Sequence, residues 1–195
     1  MDRLDEGRSK LRKLAIGAKV CIALVVLVGL AAISMSLFRP FDVLGGGYFS
    51  IEGTDLWLVT DIAMLASSIP IGMWIYRAHA NLEAADLPGL EYTPGWSIGW
   101  FFVPFASLWK PFSAMRELWN ASHGAVGDYS ENPPGLLWIW WLSWLLRSFG
   151  SFEALNPMLE FIGIAALIAS AASLWMIVDA VTRQQESFGL GHVFA

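Results

Sequence analysis

The sequence predicts an all-α integral membrane protein with four transmembrane helices and a Pro-broken re-entrant, amphipathic segment; five transmembrane helices is the alternative. Three observations carry this. Of 195 residues, 56% are hydrophobic and only 15% charged. With Gly counted and Tyr left out the chain is about 63% apolar, against ~45–50% apolar and ~25% charged in soluble domains. That leaves too little charge to cover a water-facing surface. Eleven Trp point the same way, because Trp concentrates at membrane–water interfaces. Finally, long apolar runs alternate with short polar, Pro/Gly-rich stretches. The organisation is a basic tail at 1–13, one membrane domain at 14–183 and a polar C-terminal tail at 184–195.

The net charge of −5 is mild and is not the clustered basic face that nucleic acid requires, so a nucleic-acid partner is not expected. Cys21 is the single Cys and cannot form an internal disulfide. His79, His123 and His192 are far apart, and no Cys/His spacing resembles a zinc site. No metal or cofactor is expected.

Residues 1–13 hold five basic and three acidic side chains and read as a solvated tail. The first span is 14–38, interrupted only by Lys19. Its uninterrupted part, Val20–Phe38, has 19 residues, enough for one crossing and longer than the ~7–15-residue core of a cleaved signal peptide. Lys19 is expected to snorkel toward the basic tail. Residues 39–54 are a Pro/Gly loop without a phosphate-loop context. The second span, 55–76, contains Asp61 and a mid-span Pro70 that is expected to kink it. Its helical pattern can continue from Arg77 to Glu83.

Trp96–Trp109 is an apolar run of 14 residues broken by Pro104. Runs of ~10–14 residues are more often re-entrant or interfacial than spanning. Over 96–121, Phe105, Leu108, Phe112, Met115 and Trp119 repeat at helical spacing and predict one amphipathic stripe, with Pro111 in a first helical turn. The third span, 135–150, is Trp-dense, with Trp138, Trp140, Trp141 and Trp144. It becomes a short, tilted crossing if Arg147 snorkels. The last span, 157–181, starts at Pro157 and carries Ala165, Ala169 and Ser173 every fourth residue. That ridge permits close helix contact in lipid and a possible homo-oligomer.

The charges favour four spans. If 96–109 enters and returns, ten of the 12 Lys+Arg face the cytoplasm and only Arg39 and Arg147 face outward. If it crosses, the division is eight to four. Cytoplasmic loops carry the excess, so a multi-pass protein of a bacterial inner membrane with a cytoplasmic N-terminus is expected.

Two sets of residues are candidates for function. Asp61 lies inside a span, where an ionisable group is a functional candidate by default; the ordinary reading puts it near the outer interface. Arg77, His79, Asn81, Lys110, Arg116 and Glu117 all fall on the cytoplasmic side of the four-span arrangement. They read either as a pocket for anionic lipid or a partner protein or as a network fixing the re-entrant segment. Lys110 and Glu117, seven apart, share a helix face. Asp179 and Arg183 read as an ordinary helix-surface pair, and the Trp cluster as an anchor. No HExxH, GxSxG or nucleophile–base pair is present, so a non-enzymatic module binding lipid or a membrane protein is expected. The alternative is an oligomeric channel or small-solute transporter using the Pro-broken segment.

The blocks Tyr76-Arg77-Ala-His79-Ala-Asn81-Leu, Tyr92-Thr-Pro94-Gly95-Trp96-Ser-Ile-Gly99-Trp100 and Trp109-Lys110-Pro111, followed by Arg116-Glu117-Leu-Trp119, resemble the bacterial multi-pass membrane family of unknown function numbered 4328. The similarity covers roughly residues 50–188 and extends to Val181-Thr-Arg183-Gln184-Gln-Glu186. It implies an integral membrane protein and no particular activity.

Overall fold

The computed structural model describes residues 2–38, 53–125, 127–149 and 157–187. Among them the chain is all-helical: α1 (Asp2–Phe38), α2 (Gly53–Ala84), α3 (Pro94–Gly99), α4 (Lys110–Ser122), α5 (Gly135–Phe149) and α6 (Pro157–Ser187), with 3-10 turns at Trp100–Phe102 and Ala106–Leu108.

Helix α1 begins at Asp2, so the stretch read as a solvated tail is helical from its second residue. The cause is a buried stripe at alternating spacings of three and four: Leu11, Ala15, Ala18, Ile22, Val25 and Ala32. It starts within the charged region, which adds the i,i+4 pair Lys10–Glu6 at 2.5 Å. Small residues on this stripe let the helices approach closely. A Cβ on Gly7 would lie 2.4 Å from the Arg77 guanidinium and 2.5 Å from Asn81 Oδ1. One on Gly29 would lie 2.6 Å from Leu167. Helix α2 runs through Pro70 without interruption and continues to Ala84.

The long helices alternate in direction. Gly7, near the start of α1, meets Arg77 and Asn81, near the end of α2. Lys19 reaches Asp179 on α6 and lies over the Trp175 ring at 5.4 Å. The expected snorkelling of Lys19 toward the basic tail is therefore not what the structure shows, because an acceptor on the neighbouring helix is nearer. Helix α1 packs against α2 and α6, and α6 packs against α5. One end of the bundle carries Arg77–Ala84 and Thr182–Gln185. The opposite end carries Asp61 and Arg147.

Outward faces are apolar. Leu24 and Leu27 on α1, Leu65 and Ile69 on α2, Leu142 on α5 and Ile168 on α6 are all exposed, together far more apolar surface than a water-soluble monomer presents. Among the described residues three stretches are long and apolar enough to cross a membrane: Asp5–Ser34, Leu58–Ala84 and Phe161–Ser187. The fourth expected span is α5. Its 15 residues reach about 22 Å at 1.5 Å per residue, short of the ~30 Å hydrocarbon thickness.

The segment between α2 and α4 leaves one end of the bundle and returns to it. Its entry is capped by Thr93, whose side chain accepts from Trp96 N–H at 3.4 Å. Ile98 packs toward Gly72, seven residues before His79 and so about 10 Å further along α2. Phe101 meets Trp144 edge-on at 6.0 Å. The reversal is a γ-turn in which Ala106 N–H donates to Pro104 O at 2.7 Å, with Phe105 at φ 62°. A positive φ in a bulky residue is strained backbone. This break corrects the continuous stripe expected from Phe105 to Trp119. Phe105 and Leu108 are exposed, whereas Phe112 and Met115 are buried after the helix restarts at Lys110. Pro111 does sit in the first turn of α4, where its missing N–H is harmless.

Candidate functional site

At the Gln185 end, side chains from three helices meet in a buried polar cluster. Gln185 donates through Nε2 to Ala78 O and to Ser122 Oγ, each at 3.1 Å. Its Oε1 accepts from Asn81 Nδ2 at 3.1 Å. One amide thus ties α6 to both α2 and α4, with all its polar atoms used. A turn away, Trp74 Nε1–H donates to Thr182 Oγ1 at 3.1 Å. His79 is buried, its Nδ1 3.0 Å from Ile75 O. Arg77 donates to Gly7 O at 3.3 Å, bringing in α1.

Glu117 fastens the start of the segment between α2 and α4. Its carboxylate accepts from the backbone N–H of Glu91 at 2.6 Å and of Tyr92 at 3.1 Å. Burial pushes this carboxyl above its ordinary range; the two N–H donors oppose the shift, and the Glu91 charge adds to it. Asn120, on the same helix, donates to Tyr129 O at 2.9 Å and Glu131 O at 3.1 Å. Both loops flanking the segment are therefore pinned to α4.

Lys110 sits beside the start of this segment. Its ammonium lies 5.5 Å from the centroids of both the Tyr92 and the Trp100 ring, a spacing at which a cation is held by ring faces. Glu91, Tyr92, Thr93, Trp96, Trp100 and Lys110 line a cleft of about 160 Å³. Trp96 packs against Trp100 at 4.8 Å between ring centroids, tilted by 35°, and is itself exposed.

The six residues expected to form one pocket divide. His79, Asn81 and Glu117 are buried and serve as internal struts, and Arg77 is spent on α1. Arg116 is half-buried, with its Nε enclosed, and its charge helps to lower the Asp128 carboxyl, after the dominant hydrogen bond from Ser130. Lys110 alone of the six lines the cleft. Sequence reasoning missed Gln185, Ser122 and Thr182, and it missed the aromatic side of the cleft, although Tyr92, Trp96 and Trp100 fall four residues apart.

Asp61 is exposed and stands 3.8 Å from Arg147 Nη2. Arg147 does not snorkel outward: its side chain is only 10% exposed, and its Nε lies 3.4 Å from Met64 Sδ. Asp179 pairs with Arg183, as its spacing suggests, and also with Lys19. In the Trp cluster, Trp140 and Trp141 are buried, Trp141 stacks on Trp144 at 4.9 Å, and Trp141 Nε1–H donates to Leu108 O at 3.3 Å. Along the small-residue ridge of α6, Ala165 is exposed and Ser173 is buried inside the bundle. Among the described residues no three His, Cys, Asp or Glu side chains gather as a metal site requires.

The sequence pattern of the family described as Domain of unknown function (DUF4328) matches residues 54–182. No curated protein and no solved structure is detectably similar. The match covers most of the chain, so this protein belongs to that DUF4328 family.

Proposed function

Starting from that membership, we propose that this DUF4328 protein is a four-span, non-enzymatic membrane module whose re-entrant segment presents a lipid-headgroup site at the cytoplasmic face. One observation carries the reading. The segment is fastened at both ends to one end of the bundle, through Glu117 to Glu91 and Tyr92 and through Ser122 to Gln185. Chain that starts and finishes at one end of antiparallel helices does not cross between them. This supports reading 93–122 as a loop that dips in and returns, with α5 as the short fourth crossing. The excess of Lys and Arg then falls on the cytoplasmic side.

The Lys110 cleft opens at that boundary. A cation backed by aromatic faces, with the Thr93 hydroxyl beside it and exposed Trp96 at its rim, suits a phosphate headgroup. Trp and Lys are the side chains that work at this depth. A conduit for ions or small solutes requires a polar path through the bundle. A cavity of about 360 Å³ is instead walled mostly by apolar side chains such as Ile71, Phe101 and Trp144, with Ser67, Ser68, Ser170 and Arg147 among its lining, which favours the lipid reading over the channel.

The test is retention of phosphatidylglycerol over phosphatidylcholine by the detergent-purified protein, read by native mass spectrometry. One Lys near a membrane surface contributes about 1 kcal/mol toward anionic lipid, so Lys110→Ala is expected to weaken phosphatidylglycerol retention about fivefold. Unchanged retention rejects the headgroup site.

A further inference from the structure

The four long helices do not close into a ring. Helix α1 bridges α2 and α6, and α6 holds α5, but α2 and α5 meet through the Arg147 side chain, at Asp61 and Met64, rather than by close backbone packing. The re-entrant segment fills the Gln185 half of the gap between them. The other half is a cavity of about 360 Å³. Its walls include Ile71 of α2, Ile98 and Phe101 of the segment and Trp144 of α5. Arg147 closes the far end, already engaged by Asp61. Leu65 and Phe102 line the cavity and are 71% and 81% exposed, so its mouth lies on the outer surface of the bundle.

Two facts select the occupant. The mouth lies at the level of Leu65, Ile69 and Leu142, whose outward exposure marks the depth of the hydrocarbon; the medium there is acyl chain. The interior also offers water little. Three serines line it, but the hydroxyls of Ser67 and Ser68 already donate to Met64 O and Leu65 O at 2.7 and 2.6 Å, which leaves Ser170 and few of the two to four polar partners a buried water needs. An apolar void left empty forfeits dispersion contacts along its walls. Its volume also falls within the ~300–1,000 Å³ of ordinary small-ligand sites.

We propose that this cavity binds one acyl chain of a bilayer phospholipid, which enters sideways between α2 and α5 and completes the open side of the bundle. The site is separate from the Lys110 cleft. Ile98 and Phe101 face the cavity, whereas Trp96 and Trp100 line the cleft. The short α3 and the turn after it form the partition.

The experiment uses the full chain in vesicles of phosphatidylethanolamine and phosphatidylglycerol containing a phospholipid with a diazirine midway along one acyl chain. After irradiation, adducts are mapped by peptide mass spectrometry. Adducts on Ile71, Phe101 and Trp144 are expected several-fold above those on Ile62 and Ile139, which are exposed but lie outside the cavity. Gly72→Leu and Ala171→Phe place bulk in the cavity and are expected to lower the cavity adducts several-fold while leaving those on Ile62 and Ile139 unchanged. Cavity adducts at or below the level of Ile62 and Ile139, or unmoved by both variants, overturn the proposal. If one variant fails to fold, the wild-type map and the other variant decide. Lys110→Ala is expected to leave the cavity adducts in place, so failure of the headgroup site and failure of this one are read separately.

Discussion

The two ends of the bundle are built on opposite principles. At the Gln185 end, α2, α4 and α6 share one buried amide, and the neighbouring loops are tied down by Glu117 and Asn120. At the Arg147 end, α2 and α5 are bridged by a pair whose acidic member is 66% exposed, and a cavity lies beneath it. The difference teaches where the structure needs rigidity. A backbone that enters a membrane without crossing it carries irregular turns, which must be backed by protein at that depth. Among the described residues the Gln185 end supplies the anchorage, and the cavity near Arg147 is where an acyl chain is proposed to bind.

Breaking the tight end has the largest expected effect. Gln185→Leu orphans Asn81 Nδ2 and the Ser122 hydroxyl and removes the second donor to Ala78 O. Each buried unpaired group costs on the order of 1–3 kcal/mol, so a loss of about 3 kcal/mol is expected. For a chain of this size that lowers the melting temperature by about 10 °C, measurable by thermal unfolding in detergent. A shift under a degree or two contradicts the role given to Gln185.

The loose end responds much less. Asp61→Asn removes one charge from a pair with an exposed carboxylate, and such pairs contribute about 0–1 kcal/mol. The same melting assay is expected to move by no more than about 3 °C. An effect matching that of Gln185→Leu erases the contrast between the ends.

The smallest effect is a pH dependence. Burial raises the folded-state pKa of Glu117 above its ordinary value. The folded chain therefore holds that proton more tightly than the unfolded chain does. The resulting stabilisation is fully present below the unfolded pKa and is lost as pH rises through the folded one. Stability measured upward from pH 4 is expected to decline in the wild type relative to Glu117→Gln, which has no proton to lose. Parallel pH profiles refute this.

Much of this contrast was legible in the sequence, and the remainder depended on packing. Pro104 and Pro111 disclosed the broken segment, because proline lacks an N–H and fixes φ wherever it stands. Residue 185, by contrast, reads as polar chain leaving a bilayer, and only its partners 104 and 63 residues away make it a core residue. Lys19 and Arg147 misled for a related reason. Snorkelling is the sensible expectation for a cation on an isolated helix, but both found acceptors on neighbouring helices. The short, Trp-dense run of α5 is legible in the sequence, whereas the Phe101 ring packed edge-on against its Trp144 is not.

The central claim is that residues 93–122 enter and leave on one side. In a Cys21→Ser background, single cysteines at His123 and Gln184, with a third at Ser50, are exposed to a membrane-impermeant thiol reagent in cells whose inner membrane is intact. The account predicts that Ser50→Cys labels at once, while His123→Cys and Gln184→Cys stay protected until that membrane is opened. Immediate labelling of His123→Cys and Gln184→Cys would mean that the Pro-broken segment crosses, and would contradict it.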